Sequence, residues 1–182
     1  MQQLTLLLLS VLALSGTIMA TNFTPVSTVD LSKFSGVWWG YYTSGPNWQA
    51  NTSMSCWRIN FVPQTPRLTA EEHITLSGQT WQVNAYCNIT TPQNNFFDCI
   101  EEGVPFGWNF FFVNADYTRA MAYNNHFLSL NIYSRDPIIS PDDLSRMILI
   151  AAQNDFPVVG HTVISKNTNC QAEIEDSDAL LI

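Results

Sequence analysis

Short runs of alternating apolar and polar residues cover most of the chain between residues 36 and 133. Successive side chains of a strand point to opposite faces of a sheet, so this two-residue period predicts strands with one buried face. Clusters of Gly, Pro, Asn and Ser separate the runs at roughly the 8–12-residue spacing of antiparallel barrels and sandwiches. The pattern predicts eight strands: Gly36–Thr43, Cys56–Val62, Leu68–Leu76, Thr80–Ile89, Asn95–Glu101, Trp108–Ala115, Arg119–Tyr123 and His126–Tyr133.

The connections between these strands are short. The residues Gly103–Gly107 predict a turn before the sixth strand, and Asn124-Asn125 predicts a two-residue hairpin before the eighth. Eight consecutive antiparallel strands form an up-and-down meander, which closes into a barrel and thereby removes its exposed edges. A barrel of about eight strands is wide enough to hold one small ligand. The predicted fold class is therefore all-β, an eight-stranded up-and-down antiparallel barrel.

One helix is predicted after the strands. Ser140 is a suitable N-cap, Pro141 suits the first helical position, and two aspartates follow near the positive end of the helix dipole. Asn154 and Pro157 end the helix, and Val158–Ile164 predicts a last short strand. The helix has one apolar stripe and is therefore expected to lie on the outer wall of the barrel; the stripe consists of Leu144, Met147, Ile148, Ala151 and Ala152.

The first twenty residues contain no charged side chain, and Leu4–Ala13 is almost wholly apolar. This run is shorter than the about 20 residues of a membrane-spanning helix. It predicts a secretory signal peptide, residues 1–20, cleaved after Ala20, with cleavage near Ser15 or a buried N-terminal helix as alternatives. Residues 21–182 are then expected to form one secreted domain.

The net charge is −8, and only seven Lys and Arg residues are scattered along the chain. Such a chain lacks the basic surface that nucleic acids and anionic membranes require, so neither is an expected partner. Outside the N-terminal run, no apolar stretch is long enough to predict a membrane span.

Four cysteines follow the predicted signal peptide, and this even number predicts two disulfides in an oxidising compartment. Four cysteines allow three pairings. No Cys-x-x-Cys motif or neighbouring His has zinc-ligand spacing, so we expect no metal site, and no cofactor. Three Asn-x-Ser/Thr sequons begin at Asn22, Asn51 and Asn88 and predict N-glycosylation.

Three motifs in order resemble the lipocalin family. Gly36-Val37-Trp38 matches the Gly-x-Trp of its first strand, and Ala115-Asp116-Tyr117 matches a Thr-Asp-Tyr turn, with Ala in place of Thr. Ser134-Arg135-Asp136-Pro137 matches the family's Arg after the eighth strand. The resemblance covers nearly the whole chain after the predicted signal peptide. It implies a secreted carrier of a small hydrophobic molecule, such as a retinoid, fatty acid, sterol, pigment or pheromone.

Within that family, the chain is most similar to the apolipoprotein D and retinol-binding branch. The residues Thr162-Val163 and Asn169-Cys170 resemble the branch's last strand and C-terminal cysteine, which implies a Cys56–Cys170 disulfide. The resemblance leaves Cys87 and Cys99 to pair with each other, and this second bridge departs from the apolipoprotein D pattern.

The resemblance also assigns structural roles. It implies that Trp38 closes one end of the barrel and that Arg135 lies across its indole as a cation–π pair. Gly36 allows the tight bend before Trp38, and Asp116 lies in the nearby turn. These four residues are expected to be structural and not catalytic.

A ligand in this fold would lie inside the barrel, so the expected binding residues are those whose side chains point inward. Strand alternation, counted from Trp38 and Asp116, gives an aromatic interior with a few polar groups. The predicted ligand-binding residues are Tyr42, Trp48, Trp57, Phe97, Trp108, Phe110, Phe112, Met121, Tyr123, Asn131 and Tyr133. The same counting places Gly40, Ile59, Tyr86, Asn114 and Ser129 inside.

Two other functions stay open. In the first, the large rings fill the barrel and leave a scaffold that binds another protein, such as a receptor, through its loops. A lipocalin-type isomerase would need a free cysteine, whereas all four are expected in disulfides. The acidic pairs Glu71-Glu72 and Glu101-Glu102 are expected at solvated edges, and the protein is not expected to be an enzyme.

Overall fold

The computed structural model describes residues 23–49, 51–64, 67–156, 160–168 and 170. Nine strands and two helices are found among these residues. The strands are β1 Gly36–Gly45, β2 Met54–Gln64, β3 Arg67–Leu76, β4 Gln79–Ile89, β5 Phe96–Glu101, β6 Val104–Val113, β7 Arg119–Asn124, β8 Ser129–Ser134 and β9 His161–Ile164. The helices are α1 Leu31–Phe34 and α2 Pro141–Gln153. The predicted signal peptide and Asn22 lie outside the described residues.

The first eight strands form a closed barrel. Each strand from β1 to β8 pairs antiparallel with the next, and β8 pairs with β1 to complete the circle. β9 then pairs with the last residues of β1, from Tyr42 to Gly45. The predicted up-and-down eight-stranded barrel with one long helix outside is confirmed.

Two predicted turns are wrong. Val104 and Pro105 belong to β6, because a tight turn at Glu102 and Gly103, both with positive φ, already reverses the chain. Residues 125–128 form a four-residue turn in place of the two-residue hairpin. The side chain of Asn124 accepts hydrogen bonds from the amides of His126 and Phe127 and thereby stabilises this longer turn.

One end of the barrel is closed by α1 and Arg135. The Trp38 indole donates to the carbonyl of Phe34 at 2.7 Å, and the Arg135 guanidinium lies 4.1 Å from the Trp38 ring. Arg135 also donates to five carbonyls, those of Lys33, Phe34, Ser35, Val37 and Tyr117. Gly36, with φ of +88°, makes the bend that brings these carbonyls together. Asp116 accepts two hydrogen bonds from Thr118 and holds the β6–β7 turn.

Above Trp38, aromatic rings fill the lower half of the barrel. Phe34 contacts four other rings at centroid distances between 4.9 and 5.8 Å, and all five are almost fully buried. The five rings are those of Phe34, Trp38, Phe61, Phe97 and Phe110. The expectation that rings fill the barrel is therefore correct for this half.

Both disulfides are present. Cys56 pairs with Cys170, Cα to Cα 5.3 Å, and joins the segment that follows β9 to β2. Cys87 and Cys99 face each other on β4 and β5, Cα to Cα 4.0 Å, with their sulfur atoms inside the barrel. The pairing implied by the resemblance is confirmed.

The helix α2 begins as predicted and packs on the outer wall. The Ser140 hydroxyl accepts from the Asp143 amide at 3.1 Å, and Met147 and Ala151 are buried against the strands. Arg119, for which the sequence predicted no special role, is buried at the start of β7 and forms ion pairs with Asp136 and Asp143. This pair of contacts fixes the start of the helix on the barrel.

Four residues predicted to face the cavity lie instead on the outer wall. Tyr42, Phe112 and Met121 belong to the apolar cluster under α2, and Tyr123 packs beside them against Phe156. Irregular pairing interrupts β1 between Gly40 and Tyr42, and β6 between Asn109 and Phe112. A bulge adds one residue to a strand and reverses its alternation. On β7, Ala120 and Ala122 face inward, since Met121 pairs with Phe112.

Among the other positions that alternation placed inside the barrel, some predictions are correct and some are wrong. Ile59 lies in the interior, as predicted. The prediction for Tyr86 is wrong: its side chain is 60% exposed on the outer face of β4. Asn51 and Asn88, which carry the other two sequons, are exposed, and their glycosylation stays a prediction.

Candidate ligand cavity at the open end of the barrel

The end of the barrel opposite Trp38 contains a cavity of about 510 Å³. All eight strands of the barrel contribute lining residues near this opening, and the β1–β2 loop contributes others. The apolar and aromatic lining residues are Trp48, Met54, Trp57, Ile74, Leu76, Trp81, Val83, Phe106, Trp108, Phe127 and Tyr133. The polar ones are Thr43, Asn47, Glu72, Glu101, Glu102, Asn124, Ser129 and Asn131. The cavity reaches the surface at Trp81 and Phe127, whose side chains are 52% and 41% exposed.

The boundary between the filled and the open half is a layer of three rings. Trp57 and Tyr133 meet edge to face at 5.5 Å, and Trp108 contacts Phe110 and Phe61 below it. The Trp57 ring lies directly against Gly40, where any side chain would clash with it. Gly40 is therefore the residue that allows Trp57 to lie flat against the barrel wall.

A hydrogen-bonded network holds the loop residue Trp48 over one side of the cavity. The Trp48 indole donates to the Thr43 hydroxyl at 3.1 Å, and that hydroxyl donates to Asn131 Oδ1 at 2.6 Å. The Asn131 amide in turn donates to Ser129 at 3.4 Å. These polar groups form hydrogen bonds with one another and thereby position the β1–β2 loop.

The most unusual lining group is the carboxyl group of Glu72. It accepts a hydrogen bond from Trp57 Nε1 at 2.5 Å. Burial, and secondly the charge of Glu101, raise the pKa of Glu72 to about 7, although the Trp57 hydrogen bond acts in the opposite direction. Burial and the neighbouring Glu102 likewise raise the pKa of Glu101.

Tyr133 packs against Trp57, whose indole donates to this carboxyl group. Its side chain is 1% exposed, and its hydroxyl has no well-formed hydrogen bond to any described residue. Burial, and then the charge of Glu72, raise the pKa of Tyr133 well above its usual range, while the Asn131 side chain acts against the shift. A buried hydroxyl that lacks a well-formed hydrogen bond costs about 1–3 kcal/mol, so a ligand that supplies one is favoured here.

The predicted binding residues divide into three groups by position. Trp48, Trp57, Trp108, Asn131 and Tyr133 line the cavity. Phe97 and Phe110 lie inside the barrel but below the cavity, in the filled half. Tyr42, Phe112, Met121 and Tyr123 lie outside the barrel, as described above.

Glu72 and Glu101 were expected at solvated edges, and that prediction is wrong because both line the cavity. The alternation along β3 contained the signal, because Leu68, Ala70, Ile74 and Leu76 share one face with Glu72. A charged residue at a position of that apolar series is a candidate functional group.

Two absences apply only to the described residues. None of their helices has the length and apolar character needed to cross a bilayer. Within the same residues, no group of three or more His, Cys, Asp or Glu side chains has the arrangement of a metal site.

No protein-family model matches this sequence, and no curated protein matches it. Solved structures do. Lobster apocrustacyanin A1 superposes with a TM-score of 0.59 at 14% identity, covering 80% of this chain and 84% of that chain. H1 crustacyanin from the lobster Homarus americanus gives 0.59 at 14% identity over 86% and 98%. The siderocalin Ex-FABP gives 0.53 at 10% identity over 72% and 99%.

Crustacyanins and siderocalins have the lipocalin fold, and this chain therefore has the lipocalin fold. At these identities the likeness concerns the fold alone. The three sequence motifs and the superposition agree on that architecture. The apolipoprotein D and retinol-binding branch stays a prediction.

Proposed function

We propose that this protein is a secreted carrier that holds one small, largely apolar molecule in the cavity at the open end of its barrel. The observation that supports the proposal is the cavity itself. Its volume of about 510 Å³ lies within the roughly 300–1,000 Å³ of known ligand sites, and its lining is mostly apolar with a few polar groups. The similar Ex-FABP functions through dual ligand specificities, which also favours a binding role.

Secretion is proposed from two features together. Both disulfides suit an oxidising compartment, and the apolar N-terminal run of the sequence is typical of a signal peptide. Two sequons in exposed positions are compatible with passage through a glycosylating compartment.

The two alternative functions have less support. A scaffold with a filled barrel would leave no cavity, whereas here the filling stops at the layer of Trp57, Tyr133 and Trp108. An isomerase of the lipocalin type would need a thiol, and all four cysteines are paired. We therefore propose a binding function without catalysis.

A cavity-filling substitution tests the carrier proposal. Val83 lines the cavity from β4, and its neighbour Asn84 is exposed on the opposite face of the same strand. We expect Val83→Trp to weaken binding of the neutral fluorescent probe Nile red at least about tenfold, since the new ring takes its space. Asn84→Trp should bind the probe like the wild type. Nile red emission measures both, and the carrier proposal is refuted if the wild type binds neither Nile red nor any of the smaller phenyl probes described below.

A further inference from the structure

The charged groups of the cavity have one sign only. Glu72, Glu101 and Glu102 line it, and all seven Lys and Arg residues of the chain, which are all described, lie elsewhere. No His lines the cavity either, and the three His residues are also all described. A ligand with a carboxylate would meet repulsion here, and a neutral apolar ligand would leave the acidic groups without a partner.

Glu72 retains unused capacity for hydrogen bonds. A carboxylate offers about four acceptor sites, and among the described residues only the Trp57 indole donates to this one. No cation of the described residues forms an ion pair with it. The carboxyl group is turned inward on β3, so a bound molecule can reach the free positions from the cavity.

Tyr133 supplies a second, independent indication. Its hydroxyl is buried and lacks a well-formed hydrogen bond to any described residue. Its ring meets that of Trp57 edge to face at 5.5 Å, and the indole of the same Trp57 donates to Glu72, so both residues line one part of the cavity. A hydroxyl next to a carboxylate can accept one N–H group while the carboxylate accepts another. The carboxylate and the hydroxyl together therefore suit a ligand group that has several N–H donors and a positive charge.

Aromatic rings surround this polar pair. Trp57 and Tyr133 lie at the floor, Trp108 and Phe106 meet edge to face at 5.1 Å, and Trp48 and Trp81 line the sides. The faces of such rings attract organic cations, and the attraction is stronger where water is excluded. The rings also bury the apolar part of a ligand.

We propose that the cavity selects an organic cation, namely an apolar and preferably aromatic body that carries an ammonium group, which Glu72 and the Tyr133 hydroxyl bind together. This inference rests on the proposed carrier function and names the class of its ligand. The net charge of −8 favours the approach of such a molecule.

Three probes with the same phenyl ring test the inference: 2-phenylethylamine, 2-phenylethanol and 3-phenylpropanoate. Calorimetric titration of the full secreted protein should give at least about tenfold tighter binding for the amine than for the alcohol, and no measurable binding of the carboxylate. Equal or tighter binding of the alcohol or the carboxylate would overturn the inference.

Two substitutions on the same strand separate the site from general charge effects. Glu72→Gln retains the shape and removes the charge, so the amine should bind at least about tenfold more weakly while the alcohol is unaffected. Glu71→Gln is the matched control, because Glu71 faces outward and binds Asn60. An amine preference that persists in Glu72→Gln would contradict the inference. Tyr133→Phe should weaken amine binding severalfold and leave alcohol binding unchanged, whereas a loss of packing would weaken the binding of both.

The Nile red titration separates the two proposals. If Nile red binds to the wild type and the amine shows no preference, the cation inference fails and the carrier function stands. If neither Nile red nor any of the three phenyl probes binds, the carrier proposal fails and the inference fails with it.

Discussion

At the scale of single residues, Glu72 is the group whose surroundings depart most from those of an ordinary surface side chain. It belongs to the inward, apolar face of β3, and both burial and Glu101 oppose its ionisation. The folded protein therefore holds the Glu72 proton more tightly than the unfolded chain does. This has a consequence for stability as well as for binding.

The pKa of Glu72 is raised from its ordinary 4.5 to about 7 in the folded state. Between these two pH values the folded protein binds more protons, so the free energy of unfolding should fall as the pH rises, by at most about 3 kcal/mol. The groups that face Glu72 are Trp57, Glu101 and Tyr133. Glu72→Gln should remove the decrease, and it should therefore gain stability relative to the wild type as the pH rises through this window.

Urea unfolding at several pH values between about 4 and about 8 measures this difference. Glu71→Gln should follow the wild-type profile, because its carboxyl group lies on the outer face. Parallel profiles for the wild type and Glu72→Gln would contradict the assignment of a raised pKa to Glu72.

At the scale of elements, the bulges in β1 and β6 decide which side chains face a ligand. Before each bulge, alternation counted from the sequence gives the correct face for Trp38 and Trp108, and Phe110 inside the irregular stretch of β6 also faces inward as predicted. After it, Tyr42 and Phe112 turn to the outer wall and become the surface on which α2 packs. The two β-strand irregularities thus create the contact surface for the helix.

The substitution Phe112→Ala tests this arrangement. Loss of the ring from the cluster under α2 should lower the free energy of unfolding by about 3–5 kcal/mol, while the affinity for Nile red should stay unchanged. Trp108 lies earlier on the same strand and lines the cavity, so Trp108→Ala should lower both the free energy of unfolding and the affinity for Nile red. Urea unfolding and probe titration separate the two effects. A changed Nile red affinity in a folded Phe112→Ala variant would place Phe112 at the cavity after all.

At the scale of the whole molecule, one guanidinium joins segments that are far apart along the chain. Arg135 binds the carbonyls at the end of α1 and the start of β1, and also that of Tyr117 in the β6–β7 turn. It stacks on Trp38 as well, so the closed end of the barrel depends on its planar group with several donors.

Arg135→Met should lower the free energy of unfolding by about 2–4 kcal/mol, because charge-assisted hydrogen bonds and a cation–π contact are lost together. Arg135→Lys should recover only part of this, since one ammonium group cannot reach the same set of carbonyls. Arg67→Met is the control, because Arg67 is exposed, and it should change stability by no more than about 0.5 kcal/mol. Equal stability of Arg135→Lys and the wild type, measured by urea unfolding, would contradict this role.

The local properties of the sequence determined the barrel. The period of two, the turn residues and the cap at Ser140 depend only on neighbouring residues, and they were sufficient for eight strands and one long helix. The three motifs that resemble lipocalins implied the roles of Trp38 and Arg135, and the structure places these two residues in contact. The resemblance of the C-terminal run to one branch implied the Cys56–Cys170 disulfide and left Cys87 to pair with Cys99, and both bridges are present.

Only the tertiary structure decided where the cavity lies and which groups line it. A bulge depends on how a strand pairs with its neighbours, and no local sequence signal in β1 or β6 predicts one. Large aromatic rings occur in both the filled half and the open half of the barrel, and the boundary between the halves depends on which rings meet across the interior. The inward position of Glu72 could be predicted from the alternation along β3. Its isolation from basic side chains could not, because that depends on which residues the other strands contribute to the cavity, and no described lining residue is basic.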